Sequence, residues 1–154
     1  MNPHMDLIPC SVRGVFVAVS PAGTTPAVLL GMAGDTCLPI YIGLSEAISI
    51  NTALNNEITS RPLTHDLFLE FLNRYQVTLR ALHIDSLEEG VFYANLMLYR
   101  NNHEEMIDCR PSDGIAIAIR CKSDIFLEQA VVESSGLKTT ELPPFIGLQA
   151  YLYG

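Results

Sequence analysis

The chain has 154 residues and a mass of 16.9 kDa, the length of one domain and too short for two full ones. Hydrophobic residues make up 49% and charged residues only 17%, which excludes a disordered chain and predicts that apolar surface is hidden in a homo-oligomer, a dimer or larger. The net charge of −8, with Lys122 and Lys138 the only lysines, lacks the basic footprint of a sequence-specific DNA-binding module, so any anion site has to be built locally from arginines.

No apolar run approaches the ~18 residues of a membrane span. The opening Met1-Asn2-Pro3-His4-Met5-Asp6 has neither the basic stretch nor the apolar core of a signal peptide, which predicts a cytoplasmic protein. The cysteines, Cys10, Cys37, Cys109 and Cys121, form no CxxC pair. Neither a structural zinc site nor a disulfide framework is expected, and buried thiols are. Cys109 stands beside Arg110, a neighbour able to depress its pKa.

Ser11 to Ser20 is rich in β-branched residues, and Ala22-Gly23-Thr24-Thr25-Pro26 turns the chain. Ala27 to Met32 and Cys37 to Ile42, joined through Gly34-Asp35, complete a predicted antiparallel meander. From Leu44 to Ile58 the apolar period changes to that of a helix, with Ser45 as its N-cap. A second helix follows Arg61-Pro62, capped by Thr64, with Leu67, Phe68, Phe71, Leu72 and Tyr75 as its apolar stripe.

Val77 to Asp85 reads as a strand with a bulge near Ala81-Leu82. Val91 to Tyr99 is almost wholly apolar and reads as a central strand, paired back by Glu104 to Cys109 through the turn Arg100-Asn101-Asn102-His103. Ile115-Ala116-Ile117-Ala118-Ile119 alternates like a strand, but Pro111-Ser112-Asp113 before it is a helix start. The prediction is a helix buried nearly all round, ending near Lys122. A short helix from Leu127 to about Ser134 is expected next, then an apolar tail over 137–154.

The fold class expected is α+β: a mostly antiparallel sheet with strands around Val17, Leu29, Ile40, Leu79, Leu96 and Ile107, and helices packed on one face. The tail either folds back over its own sheet or docks on a neighbouring subunit, and the neighbour is favoured because Pro143-Pro144 aim it away from the preceding element.

Two helix starts share a plan. Arg61-Pro62-Leu63-Thr64-His65-Asp66 and Arg110-Pro111-Ser112-Asp113 each run arginine, proline, hydroxyl, aspartate. Capping alone accounts for the proline, the hydroxyl and the aspartate. It does not account for the arginines or for His65. Arginine beside a helix start adds bidentate donors to an anion site, and His65 in the first turn can act as a general base or ligand. The two starts are expected to converge, bringing Arg61, His65, Asp66, Arg110 and Asp113 together. His4, His83 and His103 have weaker claims.

Leu38-Pro39-Ile40-Tyr41-Ile42-Gly43 with Glu46-Ala47, then Arg61 to Leu67, Gly90 to Ala94, and Asp108 to Ala116 together resemble the bifunctional nuclease domain family, over roughly residues 9 to 136. Cys109 and Gly114 stand where that family more often has alanine. The resemblance implies an α+β domain over 9–136 and, for some members, cleavage of both DNA and RNA.

Two functional readings follow. In the first, the protein is a metal-assisted phosphodiesterase acting on nucleic acid without strong sequence specificity. Glu46, Asp66 and Asp113 would hold Mg²⁺ or Mn²⁺, His65 would be base or ligand, and Arg61 and Arg110 would hold the scissile phosphate. In the second, it is a non-catalytic oligomeric binding module for an anionic ligand or partner protein, its motif arginines and aspartates pairing with one another.

Overall fold

A computed structural model of the chain describes residues 6–154. The first five residues, and with them His4 and most of the opening segment, lie outside the described residues. Strands β1 (Leu7–Ser20), β2 (Gly23–Gly31) and β3 (Thr36–Tyr41) form the expected antiparallel meander. Helices α1 (Leu44–Leu54) and α2 (Thr64–Arg74) follow, then β4 (Thr78–Glu88), β5 (Val91–Arg100) and β6 (His103–Cys109), again antiparallel. Helix α3 (Pro111–Cys121), β7 (Asp124–Glu128), α4 (Gln129–Ser135), β8 (Leu137–Lys138), β9 (Phe145–Gly147) and α5 (Leu148–Tyr153) complete the chain.

The strands join in the order β6-β5-β4-β7-β1-β2-β3-β8, with β9 also on β1. Every pairing is antiparallel except β4 with β7, so the domain is α+β with a mostly antiparallel sheet. The long β1 joins its two halves. Leu7 to Cys10 pairs with β7, while Phe16 to Ala18 pairs with β9. Between them the register shifts at Arg13, whose Nη2 donates to the Met32 carbonyl at 3.1 Å. A Cβ on Gly31 would lie 1.8 Å from Arg13 Nε, so only glycine lets this side chain cross β2.

Helices α1 and α3 pack against each other, α1 on β1 and β2, α3 on β4 and β5, and α2 packs on α3. The core runs through this layer: Ala47 and Ile50 of α1, Ile115 to Ala118 of α3, and Leu82, Ile84, Ala94 and Leu96 of the strands are all buried. Near-total burial of Ile115 to Ala118 explains the ambiguity of that segment, because a helix apolar on every side loses its period. The bulge expected near Ala81 is present, between Leu79 and Ala81.

Four expectations are corrected. The segment assigned to a helix from Leu127 begins as strand β7, parallel to β4, and turns helical only at Gln129. Five residues are too short a window for periodicity to separate the two. The first helix stops at Leu54 rather than Ile58, as Asn56 takes a positive φ of 52°. The N-caps are Gly43, Leu63 and Arg110, not Ser45, Thr64 or the Ser112 hydroxyl, and none makes a side-chain capping bond. Finally, the tail folds back over its own sheet. Phe145 stacks on Phe16 with centroids 5.5 Å apart, and Leu148 is buried against the core. Pro143-Pro144 therefore redirect the chain onto β1, not outward.

Candidate functional site

The starts of α1, α2 and α3 carry acidic residues at the same helical position. Counting from each N-cap, Glu46, Asp66 and Asp113 are all third in their helices, where a carboxylate complements the exposed N–H groups and the helix dipole. In α2 the bond is explicit, with Leu63 N–H donating to Asp66 Oδ2 at 2.8 Å. In α1 the N-cap is glycine, and the Glu46 carboxylate folds over it, with Oε2 2.3 Å from where a Cβ on Gly43 would lie.

Because α1 and α2 both lean on α3, these starts meet. Arg110 grips Asp113 with two bonds, Nε to Oδ2 at 2.8 Å and Nη2 to Oδ1 at 3.1 Å, and reaches Glu46 Oε1 with Nη2 at 3.0 Å. His65 Nε2 lies 2.9 Å from Asp113 Oδ1, and its Nδ1 lies 2.6 Å from Ser49 Oγ. Ser49 also receives Arg120, Nη2 to Oγ at 3.0 Å. Arg120 Nε then closes the chain of contacts on Asp66 Oδ1 at 2.7 Å. A cleft of about 420 Å³ opens over this network, walled by Glu46, Ser49, Thr64, His65, Arg110 and Asp113.

Burial disfavours the ionised form of Asp113, but the hydrogen bonds from Arg110 and His65 and the charge of Arg110 outweigh it and hold the carboxyl below its usual range. Asp66 follows the same pattern: burial opposes ionisation, while Arg120 and the Leu63 N–H prevail and lower its pKa. Cys109 goes the other way. Burial, then the charges of Asp108, Asp113 and Asp85, push its thiol up to about 12. Arg110 is committed to carboxylates, so it does not activate Cys109.

His65, Arg110 and Asp113 thus come together with Glu46, and Asp66 joins them through Ser49 and Arg120. Arg61 does not. It is exposed, its side chain takes part in no ion pair or hydrogen bond among the described residues, and it is not part of the cleft wall. Sequence reasoning missed Ser49 and Arg120. Ser49 lies three residues after Glu46, and Arg120 seven after Asp113; both spacings place them on the same helix face as a residue already singled out.

Among the described residues no group of three or more His, Cys, Asp or Glu side chains is placed to hold a metal ion. The expected set of Glu46, Asp66 and Asp113 is divided: Glu46 and Asp113 share the Arg110 guanidinium, while Asp66 is turned to Arg120. A divalent cation does not fit these three carboxylates as they stand.

An α+β domain with three helix starts converging on an Arg–His–Asp cleft is the class that this geometry defines. The bifunctional nuclease domain matches residues 28–140, and the chain belongs to that family. It is 40% identical over 127 residues to an uncharacterized protein of Mycobacterium tuberculosis, covering 82% of this chain and 76% of that one. It is 30% identical over 113 residues to bifunctional nuclease 1 of Oryza sativa subsp. indica, covering 71% of this chain and 34% of the rice protein. To bifunctional nuclease 1 of Arabidopsis thaliana it is 28% identical over 121 residues, covering 75% and 37%. The chain therefore spans about a third of the plant proteins it matches. No helix among the described residues is long and apolar enough to cross a membrane.

Proposed function

We propose that the chain is a nuclease that hydrolyses phosphodiester bonds in DNA and RNA at the cleft between the starts of α1, α2 and α3. The observation that carries this reading is the convergence of His65 from the start of α2 with Arg110 and Asp113 from the start of α3 on one open cleft. Arg110 is the exposed member, with 65% of its side chain accessible, and its Nη1 makes none of the bonds to Glu46 or Asp113. That nitrogen is available to a phosphate oxygen in charge-assisted geometry. His65 supplies the proton-transfer group, oriented by Asp113. With a net charge of −8 the protein lacks long-range attraction for a phosphate backbone, so the phosphate has to be held locally, by Arg110 at the cleft. The free thiols of all four cysteines support a cytoplasmic location, and the exposed stripe Leu67, Phe71 and Tyr75 on α2 supports a homo-oligomer.

The test is cleavage of single-stranded DNA and RNA by purified protein, in Mg²⁺, in Mn²⁺ and in chelator, with Asp113→Asn prepared in parallel. Cleavage is expected to fall at least ~100-fold in the variant. Equal cleavage by both preparations marks a contaminant and refutes the assignment. Absence of cleavage favours the second reading, an oligomeric binding module. Its supporting observation is that no buried side-chain nitrogen or oxygen among the described residues lacks a partner, with His65 of one motif bonded to Asp113 of the other.

A further inference from the structure

With His65 as the neutral imidazole, the hydrogen bonds around it take one consistent direction. Asp113, ionised, can only accept, so the neutral imidazole presents Nε2–H to Oδ1 at 2.9 Å. That leaves the Nδ1 lone pair facing Ser49 Oγ at 2.6 Å, and the hydroxyl must donate to it. The guanidinium of Arg120 can only donate, so Ser49 Oγ accepts from Nη2 at 3.0 Å. A serine inside a helix ordinarily returns its hydroxyl to the carbonyl one turn back. Ser49 makes no such bond and gives its proton to a histidine that a carboxylate holds in place.

Arg120 does not need this hydroxyl to be satisfied. It already has Asp66, the Ala116 carbonyl at 3.0 Å and the Ser49 carbonyl at 3.3 Å. Ser49 is largely buried, at 5% exposure, yet it belongs to the wall of the cleft that Arg110 opens to solvent. Serine, histidine and aspartate in hydrogen-bonded series at the edge of a cleft form the arrangement that activates a hydroxyl for attack.

We propose that Ser49 is the nucleophile of this site, activated by His65 and Asp113, so that cleavage passes through a phosphodiester on the serine. The proposal rests on the nuclease reading for its substrate. As the bond from Oγ to phosphorus forms, the hydroxyl proton passes to His65 Nδ1. The bond from phosphorus to the leaving nucleotide oxygen, in line with Ser49 Oγ and on the far side of phosphorus, breaks, and that oxygen takes a proton from solvent in the open cleft. Water then attacks phosphorus from that far side and gives a proton to solvent. Ser49 Oγ leaves with its electron pair and takes back the proton held on Nδ1, releasing a phosphomonoester end. Asp113 stabilises the imidazolium that persists between the two halves, and Arg120 lies beside Ser49 Oγ, where negative charge appears as it leaves.

Labelling of the full chain by diisopropyl fluorophosphate tests the nucleophile apart from nucleic-acid turnover. Ser49 Oγ displaces fluoride, and its proton leaves through His65. The expected result is one adduct per chain, mapped by fragmentation to Ser49 and not Ser45, and absent from Ser49→Ala and His65→Ala. Nuclease activity of Ser49→Ala is expected to fall roughly a thousandfold or more, with thermal unfolding showing the fold intact; if Ser49→Ala does not fold, Ser49→Cys takes its place. Absence of the adduct from wild type, or a folded Ser49→Ala that cleaves at the wild-type rate, overturns the proposal while leaving the nuclease reading in place. A wild-type protein that takes the label but cleaves neither DNA nor RNA keeps the nucleophile and overturns that reading instead.

Discussion

Asp66 and Arg120 provide the sharpest test of how this network is held. The Arg120 side chain is 7% exposed and that of Asp66 36%, so the guanidinium is the buried partner and the carboxylate is partly wet. Removing one member of a fully buried pair costs about 3–5 kcal/mol, because the other charge is stranded. Here water can enter where Asp66 stood, and Arg120 keeps the carbonyls of Ala116 and Ser49, which reduces the loss to about 2 kcal/mol. Asp66→Ala also deprives the Leu63 N–H of its acceptor, about 1 kcal/mol more. The total of ~3 kcal/mol corresponds to a fall in melting temperature of roughly 6–12 °C for a domain of this size. Asp66→Asn, which can still accept from Leu63, is expected to lose only the first part. Because most of the penalty is a stranded charge, Asp66→Asn/Arg120→Met is expected to be more stable than the sum of its single variants allows. Urea unfolding of the four proteins measures this. Additivity within about 0.5 kcal/mol, or an Asp66→Asn midpoint equal to wild type, refutes the assignment of a buried, carboxylate-dependent arginine.

Three further outcomes follow from particular contacts. A Cβ at Gly114 would lie 2.5 Å from Leu82 Cδ1 and 3.0 Å from Cys109 Sγ, so Gly114→Ala is expected to lose about 1 kcal/mol despite its better helix propensity. Adding Cys109→Ala is expected to restore part of that loss, and a Gly114→Ala protein more stable than wild type in urea contradicts the packing argument. Asp66 and Asp113 have folded pKa values below their unfolded ones, so the stability they confer is complete above about pH 4 and disappears as pH falls through the depressed values. Urea midpoints from pH 2 to 5 are expected to rise less steeply in Asp66→Asn/Asp113→Asn than in wild type; parallel profiles would remove these two carboxylates from the acid limb. Leu148, at 1% exposure, is expected to cost about 2–4 kcal/mol on replacement by alanine, a loss that a tail undocked from its own sheet would not show in equilibrium unfolding.

The legible parts of the fold were those with a local signature. The meander of β1 to β3 announced itself through β-branched runs and turn residues, and α2 through a stripe that leaves one side polar. β7 did not, because Asp124 to Glu128 pairs with β4 and β1, partners some forty and more than one hundred residues distant in the chain, and nothing within the segment records that. The destination of the tail was hidden for the same reason. Its apolar character predicted burial, but whether against its own sheet or a neighbour's depended on Phe16, which stacks on Phe145 from the far end of the chain. Cys109 and Gly114 face one another across the turn into α3, and a Cβ on Gly114 would lie 3.0 Å from the Cys109 sulfur, a proximity that neither position conveyed alone.

The two arginine–proline starts show why a shared motif did not give a shared role. In α3 the arginine is the N-cap itself, three residues before Asp113, and it curls back onto that carboxylate. In α2 the N-cap is Leu63, and Arg61 stands five residues before Asp66. The extra two residues carry it out of the helix start, and it cannot reach its own aspartate as Arg110 does. Asp66 is answered instead by Arg120, two turns along α3 from Asp113. One helix therefore supplies both cations: Arg110 for Glu46 and Asp113 at the mouth of the cleft, Arg120 for Asp66 beneath it. Ser49 and His65 lie between the two, and it is this division into a wet arginine and a dry one that leaves the Arg110 side of the network facing the cleft.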